Sequence, residues 1–332
     1  MNYPLSKEQE AISLQTKKAV EEGRNVLLHA VTGAGKTELV YPARERRLKK
    51  RLRVGFATPR RDVVVDLYPR IKEAFPLAKV VSVYGGHHQI REGDILLATT
   101  HQLFRYPSYF DLLILDEIDA FPFKGDPVLQ SFFRRSVKGN YILLSATPSE
   151  EQRNEVKKDN GVILKLYSRY HGHPLPVPER RTKTRPGLYL ACYRILKDFL
   201  TEGKPVFVFV PTIEIGKKLF LFLSLFLKNG AFVSSKEEQR RLLIEAFKEK
   251  KLSYLVTTSI LERGVTVFDL QVIVFRADHP LYDCAGLVQI SGRVGRKIHA
   301  EKGKVFFISE VETRERKRAR NEIEKYNRSL LS

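Results

Sequence analysis

Short apolar runs punctuate the chain, and most end in a cluster of glycine, hydroxyl or charged residues. Asn25–His29, Arg53–Thr58, Lys79–Tyr84, Asp94–Thr99, Leu112–Leu115 and Tyr141–Leu144 are separated by helix-compatible stretches. The rhythm restarts later with Val206–Val210, Ala231–Val233, Tyr254–Thr257, Gln271–Phe275 and Lys304–Ile308. Near-continuous apolar strands between helices predict parallel sheets covered on both faces. In such sheets ligands gather at the carboxyl ends of strands, which is where the polar clusters fall. The expected fold is α/β, with one sheet domain over residues 1–170 and a second over 188–332. Between them, Pro174, Pro176, Pro178 and Pro186 favour an extended linker over 171–187.

Ala30–Thr37 reads AVTGAGKT and stands between an apolar run and a helix-compatible segment. A strand, a glycine-rich turn ending in Gly-Lys-Thr and a helix make a phosphate cradle. Thr32, Gly33, Ala34, Gly35, Lys36 and Thr37 are its residues, although Ala30 stands where the common pattern has glycine. Lys36 can reach the β- and γ-phosphates of ATP, and the Thr37 hydroxyl can ligate Mg²⁺. Asp116 and Glu117 end a buried strand. Beside a phosphate cradle, Asp116 can hold Mg²⁺ through water while Glu117 orients and deprotonates the attacking water. Asp119 extends this cluster, and the Ser145 and Thr147 hydroxyls after the next strand can bond it and transmit nucleotide state.

Gln9 has two roles open to it. Ser6 three residues earlier makes a capping box; alternatively, its amide can pair with an adenine edge. In Gln289–Arg296, QISGRVGR, the spacing puts Arg293 and Arg296 on one helical face. Guanidinium groups suit the spread charge of phosphoryl transfer, Arg296 as an arginine finger from the same chain, with Gln289 positioning water. Such a site closes in the cleft between two facing domains.

Lys and Arg exceed Asp and Glu by 20, and both halves carry the excess. A polyanionic partner follows from that balance. Turns after strands in both halves offer hydroxyls, backbone N–H groups and arginine. These are Thr58–Pro59–Arg60, Gly86, Thr100–His101, Pro211–Thr212 and Thr257–Thr258. Such groups hold a sugar–phosphate backbone without reading sequence, and their recurrence suggests a single-strand track. Two distant cysteines, Cys192 and Cys284, build neither a zinc site nor a disulfide framework. The polar N-terminus is not a signal peptide, and Leu219–Leu227 is too short to cross a bilayer. Being apolar nearly all round, the helix over 216–227 is expected to be buried.

VTGAGKT, TPR, TTHQL, DEID, SATP, TTSILERGVT and QISGRVGR run in the order of the superfamily 2 helicase motifs. With DEIDAFPF at Asp116–Phe123, the chain resembles the ComFA family of late competence proteins, which is related to PriA. The resemblance implies two tandem RecA-like domains and an ATP- and Mg²⁺-dependent single-stranded-DNA translocase or helicase of DNA uptake. It makes Gly264 a nucleotide neighbour and accepts Ala30 in the phosphate loop. It implies competence partners such as ComFC and the membrane DNA channel, and a cytoplasmic place at the membrane's inner face. Members usually carry a four-cysteine zinc module, which two cysteines cannot supply, so no zinc is expected. Two rivals remain open: a PriA-like replication-restart helicase, which should prefer forked DNA, and a nucleic-acid-binding scaffold with an inert ATP site. Intact Lys36, Glu117 and Arg296 speak against the scaffold.

Overall fold

The computed structural model describes residues 5–43, 52–87, 90, 92–234, 239–258, 267–297 and 299–330. Contacts divide the chain into two units, Met1–Tyr170 and His171–Ser332.

In unit 1 the described strands are β1 (Asn25–Ala30), β2 (Val54–Thr58), β3 (Val80–Val83), β4 (Ile95–Thr99), β5 (Phe110–Asp116), β6 (Val137–Ser145) and β7 (Gly161–Leu166). They form one parallel sheet in the order β3-β4-β2-β5-β6-β1-β7. Its helices are α1 (Lys7–Glu21), the short α2 (Lys36–Leu39), α3 (Arg61–Ala74), α4 (Pro127–Ser136) and α5 (Glu150–Lys158). A 3₁₀ segment covers Thr100–Arg105. β2 and β4 are buried along their whole length, as a sheet covered on both faces requires. Leu27, Leu96, Phe110, Leu113, Leu115 and Phe133 are among the residues of this core.

Unit 2 repeats the plan. Its described strands are β8 (Glu179–Thr182), β9 (Val206–Phe209), β10 (Gly230–Val233), β11 (Tyr254–Thr257), β12 (Gln271–Phe275) and β13 (Val305–Ser309). All pair in parallel, in the order β10-β11-β9-β12-β13-β8. The helices are α6 (Arg185–Thr201), α7 (Ile213–Ser224), α8 (Arg240–Lys248), α9 (Cys284–Ser291) and α10 (Arg314–Arg328). Buried Cys192, Leu196, Val208, Leu219 and Ile273 share its core, whereas Cys284 is only half-buried.

Three local expectations change. The proline-rich stretch 171–187 is not wholly extended linker: Glu179–Thr182 adds an edge strand to the unit 2 sheet, and α6 starts at Arg185. The helix over 216–227 is not buried all round. Gly216, Leu219 and Leu223 face the core, while Leu221, Leu225 and Phe226 are exposed. A helix lying on one face of a sheet can bury only one stripe. Finally, the helix that starts at Cys284 ends at Ser291, because Gly292 caps it. Arg293 N–H then donates to the Ile290 carbonyl at 3.0 Å and Val294 N–H to that of Ser291 at 3.3 Å, which tightens the chain out of the α-helix. Arg293 and Arg296 therefore do not share a helical face.

Candidate nucleotide and nucleic-acid sites

The candidate phosphate loop follows β1. Gly33 and Gly35 both take left-handed backbone, with φ of +87° and +69°, conformations that cost a side-chain-bearing residue free energy. A methyl at Gly35 would also stand 2.9 Å from the Gln9 side-chain nitrogen. That nitrogen donates to the Ala34 carbonyl at 2.9 Å, while the Gln9 oxygen accepts the Ser6 N–H at 2.8 Å. Gln9 therefore closes the capping box and braces the loop at once. The bracing role is invisible to local spacing. The residues fit a bound polyphosphate: the loop presents two left-handed glycines, and the buried Thr32 hydroxyl has no hydrogen-bond partner among the described residues. Thr37 and Asp116 offer the oxygen ligands a hard cation requires.

Asp116 is the last residue of β5, and its carboxylate accepts the Glu117 N–H at 2.8 Å. Glu117 itself has φ +59°. A glutamate held in left-handed backbone marks a turn whose strain is sustained by its surroundings. Asp119 is buried and accepts from the Thr147 hydroxyl at 2.7 Å, and the Ser145 hydroxyl accepts the Thr147 N–H at 3.0 Å.

His29, next to the loop, went unnoticed in the sequence because it lies inside an apolar strand. It is buried, and its Nε2–H donates to the Ala146 carbonyl at 3.1 Å. Nδ1 then accepts from Arg153 at 3.2 Å and from the Tyr167 hydroxyl at 3.3 Å. Burial, and then the Arg153 and Lys36 charges, push its pKa down to about 3. A neutral imidazole thus ties the phosphate-loop strand to the Ser145–Thr147 turn. Glu38, which follows Thr37, pairs with Arg70 of α3.

Thr58 ends β2, Thr100 follows β4, and Gly86 lies in the turn after β3. These three strands are neighbours, and Thr58 is in register with Thr99. The Thr58 and Thr100 hydroxyls are buried without a hydrogen-bond partner among the described residues. Arg60 caps the start of α3, next to Pro59, and His101 is exposed. The sheet order thus sorts the unit 1 motifs along one edge. The Gly86, Thr100 and Thr58 turns lie on one side, the phosphate loop on the other, and Asp116–Asp119 with Ser145–Thr147 between them.

In unit 2 the neighbours β9 and β11 are followed by Pro211–Thr212 and Thr258. Thr212 caps α7 by accepting the Ile215 N–H at 3.2 Å, and Thr257 bonds the Thr258 carbonyl at 3.0 Å. Both hydroxyls thus have structural partners already. Gln289 sits near the end of α9, and Arg293 is almost wholly buried. Arg296 bonds the Gly292 carbonyl at 2.8 Å, and His171 bonds that of Gly295 at 2.8 Å. Gly264 lies outside the described residues.

Two family models match the chain: DEAD/DEAH box helicase over residues 10–156 and Helicase conserved C-terminal domain over 191–297. The competence protein ComFA of Bacillus subtilis is 36% identical over 319 residues, covering 93% of this chain and 69% of that protein. ComFA of Streptococcus pneumoniae is 35% identical over 331 residues, covering 96% and 76%. Among solved structures, S. cerevisiae Dbp5 bound to RNA and ADP BeF3 superposes with a TM-score of 0.69 at 17% identity, covering 97% of this chain and 91% of that one. At that identity the likeness shows the fold alone, two RecA-like domains in tandem. The motifs and the two relatives together decide the family: the chain belongs to the ComFA competence proteins and is a superfamily 2 ATP-dependent helicase.

Proposed function

We propose that the protein is a motor that uses ATP to move along single-stranded DNA and serves DNA uptake in competence. One observation carries the reading: the strand order of unit 1 lines up the phosphate loop, the acidic turn and the threonine- and glycine-rich turns on one sheet edge. A coupled ATPase needs that adjacency, because nucleotide state must reach the grip on the strand.

In this reading Lys36 holds the β- and γ-phosphates, and Gly33, Ala34 and Gly35 offer backbone N–H groups. Thr37 and Asp116 hold magnesium, which when bound neutralises charge on the phosphates. Glu117 orients the attacking water and accepts its proton. Gln9 keeps one lone pair and one N–H beyond its bonds to Ser6 and Ala34, the complement of an adenine edge. Gln289, Arg293 and Arg296 bring water positioning and positive charge to the transferred phosphoryl group. Asp119, Ser145 and Thr147 couple the two halves of the edge. Thr58, Pro59, Arg60, Gly86, Thr100 and His101, with Pro211, Thr212, Thr257 and Thr258, hold the sugar–phosphate backbone. Competence proteins such as ComFC and the membrane DNA channel are its partners, at the inner face of the membrane. No helix among the described residues is long and apolar enough to cross a bilayer.

The test is ATP turnover with and without single-stranded DNA, for the wild type and Lys36→Ala. Stimulation by DNA, and loss of turnover in the variant by two orders of magnitude or more, are expected from removal of a phosphoryl-charge stabiliser. Turnover indifferent to DNA, or undiminished in Lys36→Ala, would sink the reading.

A further inference from the structure

Beyond the turn that carries Gly86, unit 1 holds a pocket that no backbone grip uses. β3 is one edge strand of the described sheet, and Tyr84 and His87 follow it. The two residues exchange both backbone hydrogen bonds, each at 2.9 Å, around Gly85 and Gly86. Their rings stack, with centroids 4.8 Å apart and planes 19° from parallel. Arg61, the first residue of α3, holds its guanidinium carbon 4.8 Å from the Tyr84 ring centre. Below them opens a cavity of about 410 Å³, walled by Tyr68 and Val65 of α3, by Ser82 of β3 and by Ile90. Among the described residues, no carboxylate lines it. Val65, Ile90 and His87 are exposed.

A sugar–phosphate backbone needs cations, hydroxyls and N–H groups, and nothing in that chemistry calls for stacked rings or an apolar wall. A flat, apolar-faced group attached to an anion does. Arg61 stands over the Tyr84 ring, Arg60 precedes it in sequence, and the molecule carries a net +20. A methyl built on Gly85 or Gly86 would meet nothing within 4 Å, so a strand can approach this turn closely. We infer that the Tyr84–His87 stack and the cavity below it take one unpaired nucleobase of the strand whose backbone lies on the Thr58–Arg60 and Gly86 turns. Base stacking on aromatic side chains tolerates any sequence, because every base has a flat π-face. A foothold of this kind would let the protein distinguish a single strand, with bases free to turn outward, from a duplex whose bases are paired. It rests on the reading of this sheet edge as a DNA track.

The test compares binding of oligo(dT) with that of an oligonucleotide of equal length built from abasic spacers, which keeps every phosphate and loses every base. The wild type should prefer oligo(dT) by roughly tenfold, the ordinary size of one stacked base. Tyr84→Ala and His87→Ala should each abolish most of that preference while leaving the abasic affinity unchanged. Tyr84→Phe and His87→Tyr, which keep flat rings, should retain it. Equal affinity of the wild type for both strands would overturn the inference. So would an unaltered preference in the alanine variants, the outcome expected if a partner peptide fills the pocket, or an equal loss on both strands, which would mark a structural role. Failure of the track itself would look different: neither strand would bind, and neither would stimulate turnover.

Discussion

At the scale of single residues, His29 and Gly35 make the sharpest claims. His29 is neutral in the fold with its pKa near 3, against an ordinary 6.5 in the unfolded chain. Below pH 6.5 the unfolded state takes up a proton that the folded state refuses. The stability this histidine contributes is thus present above that pH and is lost as pH falls toward 3. Between pH 7 and pH 5 the loss is about 2 kcal/mol. His29→Gln removes the titration, so urea unfolding at the two pH values should show its stability falling about 2 kcal/mol less than that of the wild type. An equal fall would mean that His29 takes up its proton in the fold. Gly35→Ala forces a side chain into left-handed backbone and against Gln9. It should raise the KM for ATP by roughly tenfold, the equivalent of 1–2 kcal/mol of backbone strain. Unchanged nucleotide binding would show that the loop does not need this conformation. The places of Lys36, Asp116 and Glu117 at strand ends were legible in the sequence because each follows an apolar run within a spaced motif. His29 was not, because a buried histidine inside an apolar run looks like any core position.

At the scale of elements, the ion pair of Glu38 with Arg70 joins α2, at the phosphate loop, to α3, which starts beside Thr58–Arg60. In the proposed motor it is a direct strut between the nucleotide and strand contacts. Arg70→Ala should keep DNA-independent turnover and reduce its stimulation by DNA several-fold, measured as the ratio of the two rates. The charge-swapped double variant, Glu38→Arg with Arg70→Glu, should restore part of the ratio; an unaffected ratio in Arg70→Ala would remove the strut from the coupling. Most strands could be read from their apolar runs because parallel strands buried on both faces lack alternation. β7 and β8 escaped for the opposite reason. Gly161–Leu166 is mostly half-buried, and Glu179–Thr182 is a polar edge strand, ERRT, with prolines before it. Which motifs become neighbours was also hidden, since strand order comes from tertiary pairing and leaves no mark on periodicity.

At the scale of the molecule, two sheet units with separate cores carry a strongly cationic chain. Each phosphate neutralised on a single strand should add about −0.7 to the slope of log affinity against log salt. Replacing Arg60 by alanine should therefore make that slope shallower by about 0.7, if Arg60 touches one phosphate. An unchanged slope would take Arg60 off the track. The pattern of motifs was enough to read the class of reaction, and it could not tell whether hydrolysis is turned into movement. Displacement of streptavidin from the end of a biotinylated single strand asks that question directly. The wild type should displace it with ATP, and Glu117→Gln, which can still bind nucleotide and DNA, should not. Absence of displacement by the wild type despite DNA-stimulated turnover, or equal displacement by Glu117→Gln, would contradict the motor.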